Sequence, residues 1–287
     1  LIESSVKLCI MGIKPAYHNI FKEKKNKNIM CLWNPPQVYQ SNLTYHREFE
    51  FHYIKRGKGS YFIKNRKYPF THNNLIVIKS GEIHRFIPLT PYVYIEKGSL
   101  YLSPSFVKNR EMKDIIDSSP HILKLGEKEA TLIEVIFRNI ADEMERQEAN
   151  WEEIVHYQVM LFIYILKRCF LRKHPTIREN PRIEKIISFI EENFTKDISL
   201  SDIAKSFYIS TSHLSHLFKR ETGLSVKRYI LQRRIMEAKK LLTEKYSEKV
   251  SAIAQQVGFS DFALFNRSFK KITGLTPSGY RRTSGRI

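Results

Sequence analysis

Two groups of side chains in this sequence have types and spacings that can do chemistry. In the first half, His46, Glu50 and His52 have equal parity in an alternating run, so a strand would turn all three to one side, and His84 follows in a later run. Such a set has two uses. It can ligate zinc or iron, two histidines and one carboxylate with open positions being an oxygenase arrangement. Without metal, and joined by Tyr61 and Arg85, it can hydrogen-bond a small polar molecule such as a sugar. In the second half, two helical runs place Ser212, Ser215, His216 and Lys219, then Ala263, Asn266, Arg267 and Lys270, opposite the apolar stripes Leu214, Leu217, Phe218 and Phe265, Phe269, Ile272. Arginine can fork onto guanine, asparagine can pair with adenine, and short side chains allow close approach or touch a thymine methyl. The lysines, farther along each helix, suit phosphates, which give affinity rather than sequence reading.

Composition supports a polyanionic partner. The 287 residues carry 48 Lys+Arg against 29 Asp+Glu, a net charge of +19. Residues 178–287 hold 21 basic and 11 acidic side chains, so charge density is higher in the half with the two polar helix faces. With 42% hydrophobic residues the chain can build two cores, which excludes general disorder. Cys9, Cys31 and Cys169 are odd in number, widely spaced and without a CxxC, which disfavours a disulfide framework or zinc finger. Ile154 to Leu171, the most apolar stretch, is interrupted by His156, Gln158, Lys167 and Arg168 and falls short of a membrane span. No secretory leader is visible after Leu1, so a cytoplasmic location is expected.

The elements that must position these groups come in three textures. From about Phe21 to Tyr101, short aromatic and β-branched runs (Phe49 to Ile54, Ser60 to Ile63, Leu75 to Ile78) alternate with polar turns and predict a barrel or sandwich. Ser103-Pro104 reads as a helix start. Helices are then expected over 128–148, with Leu132, Ile133, Val135, Ile136, Ile140 and Met144, and over 151–172, which is apolar over much of its circumference. Two uses are open for them, packing on the barrel or self-association. The two prolines of Lys173 to Pro181 mark a linker.

From Arg182 onward the pattern is helical and repeats. Ser199 to Ala204, Leu214 to Lys219 and Thr222-Gly223 return as Val250 to Ala254, Phe265 to Lys270 and Thr273-Gly274. The spacing is 50 positions at Ala204/Ala254 and 51 at Phe218/Phe269, so the second copy holds one extra residue in or just after its turn. Each copy reads as a helix-turn-helix, with Ala204 and Ala254 allowing close approach and Gly258 supplying a positive φ. Two such units in a basic region make DNA the expected ligand.

On these residues the second half resembles the DNA-binding domain of the AraC/XylS family of transcription regulators. The resemblance runs through Ile203-Ala204, Ser210, Leu214, Phe218-Lys219, Gly223, Tyr229, Arg234, Ala238, Ile253-Ala254, Val257 to Asp261, Phe265, Arg267 to Lys271, Gly274, Thr276-Pro277 and Tyr280-Arg281, covering about 183–282. It implies a long helix, about 225–242, joining the two units so that recognition helices at about 211–222 and 261–273 enter successive major grooves, about 10 to 10.5 base pairs apart. Phe262 and Leu264 depart from the family, which often has a polar residue and a tyrosine there, so the second helix, Phe262 included, is expected to read bases partly by apolar contact. Gly279 in the last helix is a second departure.

The first half resembles, more loosely, the small cupin barrel that family members use as a sensor, on His46 to Gly57, Gly59 to Tyr61, Ile76 to Ile78 and Ser80 to His84. Metal-binding cupins usually have a further histidine where Thr44 stands and a proline where Ser80 stands, so a metal-free pocket is expected, with no cofactor. The resemblance implies an α+β, multidomain chain: a cupin-like effector-binding β-barrel at 1–126 with appended helices, a helical dimerisation segment at 127–173, a linker at 174–181, and an all-α domain with two helix-turn-helix motifs at 182–287. It implies a non-enzymatic, ligand-responsive transcription regulator, with double-stranded DNA, a small polar effector such as a carbohydrate, a second copy of the chain and RNA polymerase as candidate partners, and no membrane. A metal-dependent cupin isomerase or dioxygenase fused to a DNA reader is the alternative. A family branch with a reactive methyl-accepting cysteine is excluded, since none of the three cysteines has activating neighbours.

Overall fold

The computed structural model describes residues 28–33, 42–89, 94–171 and 180–284. Cys9, the basic run Lys22 to Lys27 and nearly all of the expected linker lie outside the described residues. The chain splits between 178 and 179 into two compact units.

The first unit contains β1 (Ile29–Trp33), β2 (Phe49–Arg56), β3 (Gly59–Ile63), β4 (Arg66–Phe70), β5 (Asn74–Ile78), β6 (His84–Pro88), β7 (Glu96–Leu102), α1 (Arg110–Ser118), β8 (Ile122–Lys124), α2 (Glu127–Arg146) and α3 (Trp151–Phe170). One sheet has the order β1-β7-β2-β5-β8 and the other β4-β3-β6. Alternation along β2 sorts the layers. Ile54, with Ile76 and Ile78 of β5, packs on Tyr61, Ile63 and Phe70 of the smaller sheet, so the even-numbered face of β2 looks between the sheets. The odd face, Phe51 and Tyr53 with Leu75, Val77 and Leu100, packs on Ile133, Phe137 and Ile140 of α2 and on Phe162 and Leu166 of α3. Phe162 stands 5.1 Å edge-on to both Phe51 and Phe137. The apolar stripe of the two helices is therefore used first to cover the large sheet. Leu132, Val135, Ile154, Tyr157, Leu161 and Tyr164 remain exposed on their outer sides.

Two expectations are corrected here. Ser103-Pro104 does not start a helix: α1 begins at Arg110, because the Asn109 side chain accepts from the Glu111 N–H at 2.8 Å and caps the first turn. The Ser103 hydroxyl is instead bonded to Asn28 (3.1 Å) and the Phe106 N–H (3.2 Å). His46, expected on the strand with Glu50, lies ahead of β2; its carbonyl accepts from the Gly81 N–H at 3.0 Å. Cys31 and Cys169 are core residues, the Cys31 thiol donating to the Phe137 carbonyl.

The second unit is all α: α4 (Pro181–Asn193), α5 (Leu200–Ser206), α6 (Thr211–Thr222), α7 (Val226–Glu244), α8 (Val250–Gln256), α9 (Phe262–Thr273) and α10 (Pro277–Ser284). The repeat is carried down to individual hydrogen bonds. Ile209 N–H donates to the Ala204 carbonyl and Phe259 N–H to the Ala254 carbonyl, both at 3.0 Å. Ser210 caps α6 and Asp261 caps α9, so the extra residue of the second copy is Ser260, inserted between the turn and the cap. Thr222 and Thr273 each bond the carbonyl four residues back at 2.8 Å, and Gly223 and Gly274 end the helices at φ 72° and 82°. The connecting α7 is tied down from one side: the Arg233 Nε–H bridges both Glu191 oxygens at 2.8 and 2.7 Å, and the Arg234 Nε–H donates to the Phe194 carbonyl at 2.7 Å.

Candidate functional site

In the second unit, burial of one stripe decides which residues a duplex can reach. Leu214, Leu217 and Phe218 are buried in α6, and Phe265 and Phe269 in α9. On the opposite faces Ser212, His216 and Lys219 are exposed, as are Phe262, Ala263, Arg267 and Lys270. Ser215 and Asn266 are only half-exposed, and the Asn266 amide donates to the Phe262 carbonyl of its own helix at 3.1 Å. Pairing with adenine would require it to leave that bond. Phe262 and Leu264 are 44% and 47% exposed, and Phe262 lies nearly parallel to the buried Phe265 with centroids 6.1 Å apart. Sequence reasoning passed over Thr211, His213 and Arg220, exposed on α6, and Lys271, exposed on α9; their signal was adjacency to the chosen residues on a helical wheel.

In the first unit Glu50 is a hub. Its Oε2 lies 3.0 Å from Nε2 of both His46 and His84, and its Oε1 lies 2.6 Å from Nε2 of His52. Each imidazole is fixed from behind: Nδ1 of His46 faces the Glu48 carbonyl (3.2 Å), that of His84 the Glu82 carbonyl (2.9 Å), and that of His52 the Ser99 hydroxyl (2.9 Å). Burial favours a neutral Glu50, but the neighbouring imidazoles outweigh it and hold the carboxyl well below its ordinary range. Burial lowers His52 to about 4, with Lys97 adding to the effect, so His52 is neutral. His46 is pulled down by burial and pulled up more by Glu50, with a net rise. The donor atoms of His46, Glu50 and His84 all lie within 4.8 Å of one another, a grouping that can hold a metal ion.

Tyr61 joins the cluster by stacking on His52, with centroids 5.3 Å apart. Arg85 does not join it: it alternates with His84 and Phe86 along β6, and Phe86 packs on Tyr61, so Arg85 points to the other face. Three residues of β7 were missed. The register pairs Glu50 with Tyr101, His52 with Ser99 and Ile54 with Lys97, which places all three on the inner face. Burial lowers Lys97 to about 8, an effect that Glu50 partly offsets. The alternation Lys97, Ser99, Tyr101 is legible in the sequence, but without the register nothing joined it to Glu50. A separate cleft of about 630 Å³, lined by Lys64, Lys79, Glu82, Lys113 and Asp117 among others, contains none of the expected effector residues.

The sequence pattern of the AraC-like ligand binding domain matches residues 32–155, and that of a helix-turn-helix domain matches 203–283. The chain belongs to the AraC family of transcription regulators. Over 249 residues it is 28% identical to the lactose operon transcription activator of Staphylococcus xylosus, covering 84% of this chain and 86% of that one. It is 26% identical over 254 residues to the transcriptional activator RhaR of Mannheimia succiniciproducens, covering 85% and 88%. Against the arabinose operon regulatory protein of Escherichia coli the match is 31% over 132 residues, 44% of this chain and 45% of that one. Among solved structures, ToxT from Vibrio cholerae aligns with 90% of this chain and 98% of its own at 15% identity and a TM-score of 0.40. This AraC-family chain is a ligand-responsive transcription regulator: a DNA-binding helix-turn-helix unit joined to a sheet-rich ligand-binding unit. Among the described residues, no helix is long and apolar enough to cross a membrane.

Proposed function

We propose that the regulator binds specific duplex DNA by laying α6 and α9 in successive major grooves, and that a small polar effector held between the two sheets controls this binding. The observation that carries the reading is the duplication in the second unit: two helices, each capped at the same place, each burying an apolar stripe and exposing Ser212, His216 and Lys219 or Ala263, Arg267 and Lys270. Arg267 reads a base, Lys219 and Lys270 hold phosphates, and Phe262 and Ala263 touch the floor of the groove. For the effector, Glu50, His52, His84 and Tyr61 supply buried polar groups on facing sheets, with half-buried Lys97 on β7 and half-buried His46 just ahead of β2 beside them. A carbohydrate is the first class to test, since hydroxyls match such a donor and acceptor set and relatives are named for lactose and arabinose operons. Arg85 enters this set only if β6 rearranges. The protein acts in the cytoplasm without catalysing a reaction, and it is a dimer through the exposed apolar side of α2 and α3. RNA polymerase is the partner expected of an activator bound near a promoter.

The test is selection of bound duplexes from a random pool, repeated with a panel of sugars and other metabolites. The proposal expects one enriched bipartite sequence whose affinity changes with a compound that also raises the melting temperature of the chain. Enrichment of no sequence would refute it.

A further inference from the structure

We infer that the separate cleft of the first unit is a binding site for a small phosphate monoester, with Lys64, Lys79 and Lys113 holding the phosphate and Phe49, Pro104 and Val107 facing the rest of the molecule. The cleft lies between the β3–β4 turn, the β5–β6 turn and α1. Its volume of about 630 Å³ is that of an ordinary small-molecule site, and its lining includes none of His46, Glu50, His52, His84 or Tyr61.

Three distant segments bring one lysine each. Lys64 stands in the β3–β4 turn with a left-handed backbone, φ 55°, and its N–H donates to the Ile83 carbonyl at 2.7 Å, which ties that turn to the entry of β6. Lys79 follows β5, and Lys113 is exposed on α1. Two carboxylates face the same space, and both are engaged. Glu82 is held by the His121 ring at 2.9 Å, the Lys79 N–H at 3.0 Å and the Lys64 ammonium at 3.0 Å. Burial favours its neutral form, but these partners outweigh it and lower the carboxyl to about 2. Asp117 pairs with Lys113, four residues earlier on α1.

That leaves Lys79. Its ammonium donates to the backbone carbonyl of Asp117, and among the described residues no carboxylate forms an ion pair with it. Burial pulls it below its ordinary range; Glu82 opposes this and Lys64 adds to it. An ammonium has three hydrogens and the carbonyl takes one, so a half-buried positive charge keeps donors for an anion. The donor type selects the anion. Lysines act as point charges and suit the oxygens of a phosphate, whereas a planar carboxylate is best met by an arginine fork, and among the described residues no arginine lines the cleft. Phe49 and Val107 are buried side chains of the opposite wall, so a phosphate carrying an apolar or ring-shaped body fits better than the bare ion. Part of the basic excess outside the DNA-binding unit thereby has a use.

The test is calorimetric titration of the full chain with phenyl phosphate at constant ionic strength. The expected result is one saturable site with a dissociation constant of about 1 mM or tighter. Loss of a charge-assisted hydrogen bond in Lys79→Met should weaken it about 10-fold or more, and loss of the exposed charge in Lys113→Met about 2- to 5-fold. Lys128→Met, on α2, should change nothing, and inorganic phosphate should compete for the same site more weakly. A wild-type chain with no saturable binding at about 10 mM phenyl phosphate overturns the inference however the variants fold. Binding undiminished in Lys113→Met and Lys79→Met, or weakened equally by Lys128→Met, also overturns it, by placing the anion on the basic surface elsewhere. None of these results touches the DNA-binding reading, which rests on the other unit.

Discussion

Tyr208 and Gly258 hold the same place in the two turns, and both are left-handed, at φ 53° and 93°. Their surroundings are opposite. Tyr208 is 95% exposed, whereas a Cβ on Gly258 would run into the Thr195 carbonyl oxygen and come within 2.9 Å of Arg234 Nε.

The pair predicts an asymmetry. Gly258→Ala adds left-handed strain of about 1–2 kcal/mol and a collision with backbone, so it should destabilise the second unit by more than about 2 kcal/mol. Tyr208→Gly removes strain and adds chain entropy of about 0.5–1 kcal/mol, so stability should stay within about 1 kcal/mol of the wild type. Chemical denaturation of both variants measures the difference.

On DNA, Arg267→Ala should cost about 1–3 kcal/mol of specific binding and relax the preference at one base pair. Lys219→Ala should weaken all sequences alike and reduce the salt slope by about 0.9. Asn266→Ala should cost less than Arg267→Ala, since its amide already bonds the Phe262 carbonyl. Titrations of each variant at several salt concentrations check all three.

The apolar tip of α9 predicts dependence on thymine methyl groups. Replacing thymine with deoxyuridine in the half-site under α9 should weaken binding severalfold, and Phe262→Ser should abolish that sensitivity. The same replacement under α6, which exposes serine and histidine, should have little effect. Competition between thymine and uracil duplexes is the readout.

Lys239 on α7, with its Nζ 5.8 Å from the Tyr280 ring, predicts a pH dependence. Burial lowers its pKa to about 8, against about 10.4 in an unfolded chain. Between these values the unfolded state binds more protons, so stability should rise with pH. Below pH 8 the lysine is charged in both states and the cost of burial is fully present. Relative to Lys239→Met, the wild type should gain stability from pH 8 to 9.5, as followed by thermal melts.

Much of the DNA-binding unit is legible in the sequence because its periodicity is local. Caps, αL glycines and apolar stripes recur within a dozen residues of each other, and even the extra residue is betrayed by the change in spacing, later located as Ser260. The sheet-rich unit is less legible because its neighbours are distant in the chain. Glu50 and His52 could be paired by parity, but Lys97, Ser99 and Tyr101 reach them through a strand register that no local pattern states. Arg85 failed to join for the same reason: one residue along β6 reverses the face. Ser103-Pro104 imitated a helix cap while Asn109, six positions on, supplied the hydrogen bonds.

Two recognition helices carried by one unit must read two grooves on one face of the duplex, and the most direct test is half-site spacing. With the selected sequence in hand, about five base pairs are inserted between its halves and the affinity of the full chain is measured alongside guanine-methylation interference. The account predicts two interference patches about 10 to 10.5 base pairs apart in the parent site, and loss of affinity to the level of a single half-site after insertion. A single patch, or affinity indifferent to the insertion, would contradict it.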